Sequence, residues 1–530
     1  MLRTAVILVA LQFSALAYAA EPRRSADVLI HGGTVFSGDE AAPSVLDVVL
    51  VGDTVAYVGE NAAAHFNAAR TIEAQGKLVA PGFIDPHTHP DTYIRSQDRE
   101  QRRNAPWLMQ GVTTIGIGVD GGGRFDVAKQ RAWFEERGVG TNLAPYVGFG
   151  PVRESVLGEQ ARAPNAQELT RMRQLVTQAM CEGAFGFSTG LFYAPQSFAR
   201  TDEVVALAHE AAIRGGLYDT HQRDESTYGI GLLNSTREAI EIGRQAGMPV
   251  HIAHLKALGV DVHGKARDLV SIIETARAGG LNVTADQYPF VASGSSLQAS
   301  LLPRWSVEGG RAALLDRLRE TETLQRIRTE MSENLRRRGG ADSLLFNSTG
   351  HPWSGKTLAA VAALWKVEPV DAALRVIREG EDDKADSVTS FNMDPDHVKL
   401  LMRQPWVVTG SDGSDGHPRQ YATFPEKYAK YVQREHVLTT AEFIRRSTGL
   451  TADILGLDRR GYLRPGYFAD VVVLDAAAYG PKADYLHPNV LSKGVSYLWV
   501  NGKLAVDAGE LTDALSGRML SHAPTAGTCR

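Results

Sequence analysis

Cysteine is scarce: only Cys181 and Cys529 occur in 530 residues. Neither has a second cysteine or a histidine at zinc-finger spacing, which excludes a small thiolate-built zinc module. Cys181 ends an expected helix, and Cys529 lies in a Gly/Pro/Thr tail that reads as disordered, so no bridge between them is expected. Positive charge is not in excess either. The formal charge is −5, and no basic run or aromatic-basic patch occurs, which argues against a nucleic-acid partner. Beyond residue 20 no apolar run is long enough to cross a bilayer, so no membrane contact is expected in the mature chain. The one apolar run at the start, Ala5 to Ala17, follows Arg3 and precedes Ala17-Tyr18-Ala19, a small-residue cleavage pattern. Residues 1–20 therefore read as a signal peptide, with an N-terminal anchor as the alternative. Export to the periplasm or medium is expected, with a mature chain starting near Ala20 or Glu21.

Hydrophobic residues make up 43% and charged residues 22%, an ordinary globular balance, and the length calls for two or three domains. Residues 26–80 carry short β-rich runs such as Asp47 to Val51, separated by Gly, Asp and Pro. The same texture returns at Ala469 to Asp475 and Val495 to Lys503, where Asn501-Gly502 is a hairpin signal. The two ends, 26–80 and 461–515, are expected to build one small β-sandwich. Between them strand and helix alternate. Asn165-x-x-Glu168 opens a helix, Thr201 caps another, Ser235-x-x-Glu238 opens a third, and Lys265 to Ala278 forms a fourth. Each is followed by a strand, which is the cadence of a parallel sheet covered by helices. His221, His254 and Tyr288 follow each other by 33 and 34 residues, about one βαβ unit each. This predicts an α/β fold with a (β/α)8 TIM-type barrel over 81–460. The rhythm breaks over 290–354, read as an inserted helical lid, and is expected to resume near Thr357.

Chemistry-bearing residues cluster at expected strand ends. Phe83 to His89 leads an apolar run into His87 and His89, which share a face if the strand continues. Asp120 follows the apolar run Val112 to Val119, and His221, His254 and Asp412 end three further runs. His251 falls on the opposite face from His254 and is left out. Each residue alone has a structural reading: a satisfied core histidine, or an aspartate capping a turn. Four histidines and two aspartates at separate strand ends instead form a donor set for zinc or a similar divalent ion. An aspartate beside such an ion can act as general base.

These stretches resemble the metal-dependent amidohydrolases and, within them, the D-aminoacylase (N-acyl-D-amino-acid deacylase) group. The similar segments are Gly82 to His89, Gly111 to Thr114, Gly183 to Pro195, Ala253 to Lys256, Asp286 to Phe290, Gly410 to Gly413, His417 to Arg419 and Gly461 to Val473. The resemblance implies a hydrolase cleaving the amide of N-acyl-D-amino acids. It implies that His87, His89 and Asp412 hold one ion, and that His221 and His254 hold a tighter zinc. Asp412 would be the base, and Lys256, Tyr193, Tyr288 and Arg419 would bind substrate. One or two divalent ions, Zn2+ with Mn2+ or Co2+ as substitutes, are implied, with a small N-acyl amino acid as substrate; the sequence does not specify an oligomeric state. The group carries a cysteine ligand where this chain has Asp120. A carboxylate is harder than a thiolate, admits manganese or cobalt, and can bridge two ions. No lysine lies in Ala184 to Pro195, which counts against the relatives that use a carbamylated lysine. Two alternatives remain open. An exported metallo-dipeptidase of the same fold would need a carboxylate for the free amine, for which Asp224 and Glu225 are candidates. A non-catalytic binding protein would have lost the chemistry at Asp120.

Overall fold

The computed structural model describes residues 23–380 and 385–529. The expected signal peptide lies outside them. Among the described residues no helix is long and apolar enough to cross a membrane.

Eight short parallel strands form a closed ring. In chain order they are Phe83–Asp85, Val112–Ile117, Asn142–Pro145 continued by Val147–Gly148, Gly186–Gly190, Leu217–His221, Val250–Ile252, Val283–Gln287 and Val407–Thr409. Each pairs in parallel with the next. The ring closes where Thr88 bridges Gly413 in parallel: the Asp412 amide donates to the His87 carbonyl at 2.9 Å, and the His89 amide to the Gly413 carbonyl at 2.8 Å. All the strands are buried, as a sheet covered on both faces requires, and charged residues within them, such as Asp219 and Asp286, are hydrogen-bonded inside. This is the (β/α)8 barrel.

The covering helices follow from their apolar stripes. In Ala166–Cys181 the buried side chains are Met172, Leu175, Val176, Ala179 and Met180, a 3-1-3-1 spacing that defines one face. Its start is the expected capping box, with Asn165 accepting from the Gln167 and Glu168 amides. Two other helix starts differ from expectation. Leu232–Ala246 begins a turn before Ser235, because the Gly231 backbone already turns the chain there. Thr201 is the first helical residue of Thr201–Ala212 rather than its cap, and its hydroxyl donates to Glu238 instead.

Strands from the two chain ends pair in one nine-stranded sheet: Leu78–Pro81 runs antiparallel to Val471–Leu474. Val28, Ile30, Val48, Leu50, Val471, Val473 and Trp499 share its core. The Asn501-Gly502 turn joins Val495–Val500 to Lys503–Asp507, with φ of 49° and 74° as a type I′ turn demands.

The inserted unit is larger than expected. It opens with Ala292–Ser296 and closes with Ser387–Phe391, which pair antiparallel, and Leu344–Phe346 completes a three-stranded sheet. The helices Leu358–Trp365 and Pro369–Glu379 therefore do not resume the barrel near Thr357. Their Leu358, Val361, Leu374 and Ile377 bury into the same separate core as Leu301, Ile327 and Phe346. The unit is thus mixed α/β, not a helical lid alone.

The tail is ordered, contrary to expectation. Gly517 and Met519 bridge Val139 and Leu143 at the start of the third strand. The His522 amide donates to the Gly183 carbonyl, and Cys529 is disulfide-bonded to Cys181 across 348 residues of chain. Composition suggested disorder, but backbone pairing to strand ends supplies the order instead.

Candidate metal centre

Every predicted metal-facing residue sits at the carboxyl end of a barrel strand, where loops after separate strands converge. His87 lies two residues beyond the first strand, Asp120 three beyond the second, His254 two beyond the sixth and Asp412 three beyond the eighth; His221 ends the fifth. The first strand stops at Asp85, so His87 and His89 are aimed by the loop rather than by strand pleating. Asp120, His254 and Asp412 have φ of 52°, 34° and 49°. A left-handed backbone at a non-glycine residue costs about 1 kcal/mol or more, and persists only where the surroundings impose it. At Asp120 those surroundings are visible. The Gln196 side chain donates to its carbonyl at 3.0 Å, and Gly190 lets that carbonyl approach; a Cβ there would stand 2.3 Å away.

Asp120 is the centre of the cluster. Its Oδ1 lies 3.2 Å from His87 Nε2 and 3.5 Å from His254 Nε2; its Oδ2 lies 3.5 Å from His89 Nε2 and 3.6 Å from His221 Nδ1. Asp412 Oδ1 lies 3.1 Å from His89 Nε2 and 3.9 Å from His87 Nε2. His87, Asp120, His254 and Asp412 could hold one ion, and His221, Glu225 and His254 form a second group of this kind. Both ring nitrogens of His87, Asp120 Oδ1 and His221 Nε2 are buried without a hydrogen-bond partner. Buried polar atoms are nearly always paired, so this convergence of orphaned N and O donors fits a divalent ion.

Electrostatics agree. Burial opposes charge on His89, but the Asp120 and Asp412 carboxylates outweigh it and push its pKa up to about 9. Burial would raise the Asp412 pKa; the adjacent Arg419 guanidinium, with His254 and His89, holds it well below the usual carboxylate range instead. Arg419 Nη1 lies 2.6 Å from Asp412 Oδ2.

Above the cluster is a cavity of about 530 Å3, of a size for one small molecule. Its floor includes His89, Asp120 and Asp412; Tyr193 and Arg419 reach it from the barrel, and Ser296 and Asn347 from the inserted unit. The insertion therefore roofs the site.

Two predicted substrate contacts are placed differently. Lys256 does not line the cavity: its Nζ is buried 2.8 Å from Glu225 Oε1 and 2.7 Å from His254 Nδ1. Tyr288 is also buried away from it, packed under Lys256 and Arg419 at 5.8 and 5.3 Å from its ring centre. His251 stays outside the cluster, held by Thr284 and Asp286 at 2.9 and 3.1 Å. Asp224 is consumed in its own loop, accepting from the Ser226, Gly229 and Gly231 amides. Both carboxylates set aside for a dipeptide amine are thus engaged elsewhere. Sequence reasoning did not place Glu225 or Asp219 beside these histidines, although Glu225 approaches His221 and His254 and Asp219 approaches His87. Glu225 follows His221 by four residues, which was the available signal. Asp219 Oδ1 faces His87 Nδ1 at 3.9 Å from inside the fifth strand, and nothing in the sequence marks it.

Comparison with known proteins agrees with this geometry. The amidohydrolase family profile matches residues 313–506. A D-aminoacylase of Alcaligenes xylosoxydans is 30% identical over 94% of this chain and 98% of its own. An N-acyl-D-glutamate deacylase of the same organism is 30% identical over 90% and 93%. Among solved structures, an N-acyl-D-glutamate deacylase from Bordetella bronchiseptica, complexed with zinc and a phosphonate mimic of the tetrahedral intermediate, superposes with a TM-score of 0.79 at 28% identity, covering 94% of this chain and all of that one. The chain belongs to the amidohydrolase family, in the group of the D-aminoacylases.

Proposed function

We propose that the chain is a metal-dependent deacylase that hydrolyses N-acyl-D-amino acids to a carboxylate and a free D-amino acid. The observation that carries this is Asp412, a buried carboxylate held between His89 and Arg419 on the floor of a cavity sized for such a substrate. His87, His89, Asp120, His221, His254 and Asp412 would hold one or two zinc-class ions. An ion held there supplies a Lewis acid for the acyl carbonyl and makes water more acidic. Arg419 binds the substrate carboxylate, which loosens its grip on Asp412 and restores that group's basicity. Asp412 then takes the proton of the attacking water and returns it to the departing amine. Tyr193, which lines the cavity, would donate to the tetrahedral oxyanion. Preference for the D isomer rests on the similarity to relatives named for D substrates. Export is supported by the opening residues and by the Cys181–Cys529 disulfide, a bond of oxidising compartments.

The test is release of free amine from N-acetyl-D-methionine and its L isomer by the zinc-loaded protein and by Asp412→Asn. Cleavage of the D isomer alone, lost in the variant while substrate still binds, supports the reading. No cleavage of either isomer by metal-loaded wild type would overturn it.

A further inference from the structure

The motif His417-Pro418-Arg419 ends with the guanidinium that grips Asp412, but its histidine has no part in the reaction described so far. His417 is 1% exposed and lies on the cavity wall. Both ring nitrogens are taken. Nδ1 accepts from the Arg419 amide at 3.1 Å, and Nε2 donates to the Ala292 carbonyl at 3.2 Å. Burial and the adjacent guanidinium hold the His417 pKa well below its usual value, so the ring is neutral and suited to one donated and one accepted bond. No polar atom remains on it for substrate or for proton transfer.

The two bonds join elements of different units. Arg419 opens the helix Arg419–Glu426, whose first amides have no partner within the helix, and Pro418 before it supplies no side-chain cap. Ala292 opens the first strand of the inserted unit. Two residues on, Gly294 brings that strand against both side chains: a Cβ there would stand 3.2 Å from Arg419 Nη2 and 3.5 Å from His417 Cδ2. Phe290 and Tyr485 clamp the imidazole in T-shaped contacts, with ring centres 5.4 and 5.3 Å away. Tyr485 packs in turn on Phe391, the last residue of the strand that closes the unit, at 4.7 Å. His417 is therefore held by the entry and the exit of the roof, and its ring bond passes that position to Arg419. Arg419 Nη2 donates to Ser414 Oγ at 3.0 Å, while its Nε is buried with no hydrogen-bond partner, a donor left for a ligand carboxylate.

We propose that His417 is a positioning residue that pins Arg419 to the roof, so that the guanidinium meets the substrate carboxylate. This rests on the deacylase reading above and deepens it, by assigning the alignment of Arg419 to a side chain with no free polar atom of its own.

The test is a double-mutant cycle in kcat/KM on N-acetyl-D-methionine, with wild type, His417→Phe, Arg419→Met and the His417→Phe/Arg419→Met pair. His417→Gln is the conservative variant, since its amide can still donate to Ala292. Circular dichroism checks the fold of each. A neutral hydrogen bond is worth about 2- to 12-fold in an equilibrium. His417→Phe keeps a ring in the clamp and loses both bonds, so kcat/KM should fall about 5- to 30-fold, mainly through KM, and His417→Gln should fall less. In the Arg419→Met background His417→Phe should cost less than about 2-fold, because the group it positions is gone. His417→Phe within 2-fold of wild type overturns the proposal. So does an equal fold loss in both backgrounds, the mark of a merely structural role, or a loss confined to kcat. If His417→Phe fails to fold, His417→Gln decides by the same cycle. With an active wild type these outcomes leave the deacylase reading standing. A zinc-loaded wild type that cleaves neither isomer defeats that reading, and the proposal with it. Arg419→Met within 3-fold of an active wild type removes the role that His417 is assigned to support, and so overturns the proposal as well.

Discussion

Replacing Arg419 by methionine tests the centre most directly, because one side chain is assigned two jobs. Arg419 and Asp412 are 3% and 7% exposed and 2.6 Å apart. Removing one partner of a buried ion pair costs about 3–5 kcal/mol when the other is left uncompensated. Asp412 keeps His89 at 3.1 Å, so the lower end, about 3 kcal/mol of folding stability, is expected. A charge-assisted hydrogen bond is worth about 1.5–3 kcal/mol, so losing the guanidinium from the substrate carboxylate should lower kcat/KM on N-acetyl-D-methionine about 10- to 100-fold, mostly through KM. The pH profile carries the second job. With Arg419 present, the Asp412 pKa is depressed in the folded protein. Its stabilising contribution is therefore present above the unfolded value of 3.8 and lost as pH falls through the folded value. Removing Arg419 raises the folded value, so the acid limb of kcat/KM should move to higher pH. Steady-state kinetics from pH 4 to 9 and a thermal melt read all three. A variant within 3-fold of wild type in kcat/KM, with an unmoved acid limb, would refute both roles of Arg419.

Asp120→Ala should lose bound metal on dialysis, because its two oxygens face all four histidines; metal analysis by mass spectrometry reads this, and retained stoichiometric zinc would remove Asp120 from the ligand set. In the metal-free protein His89 titrates near 9 against a usual 6.5, so its stabilising charge is complete below about pH 6.5 and lost as pH rises to about 9. Melts of the chelated protein should show that fall, and a flat profile would contradict it. N-acetyl-D-glutamate should be cleaved at least about 10-fold less efficiently than N-acetyl-D-methionine, because Arg419 is the one arginine or lysine among the described cavity-lining residues and Asp415 lies there too. Equal kcat/KM for the two would refute that charge argument. Breaking the disulfide as Cys181→Ser/Cys529→Ser should cost about 2–5 kcal/mol and lower Tm, while an unchanged melt would mean the paired tail backbone suffices.

Local pattern by itself determined the strand–helix cadence, the capping box at Asn165, the turn at Asn501-Gly502 and the six residues that converge on the candidate metal centre. Such features are read from spacing because strand ends, helix faces and tight turns each demand particular residues within a few positions. Only the tertiary structure decided the rest. The ring closes between Thr88 and Gly413, more than 300 residues apart, through hydrogen bonds that no local pattern encodes. The helices after Thr357 look like barrel helices in sequence, since an amphipathic helix carries no label for the core it joins; their side chains pack with Phe346 and Leu301 instead. The tail looks unstructured because its order comes from partners at Val139, Leu143 and Cys181. Lys256 shares a motif with His254, yet its charge is taken by Glu225 from the neighbouring loop. Which side chain satisfies a buried charge depends on three-dimensional neighbours, and the physical chemistry of burial makes that choice only once the chain has folded.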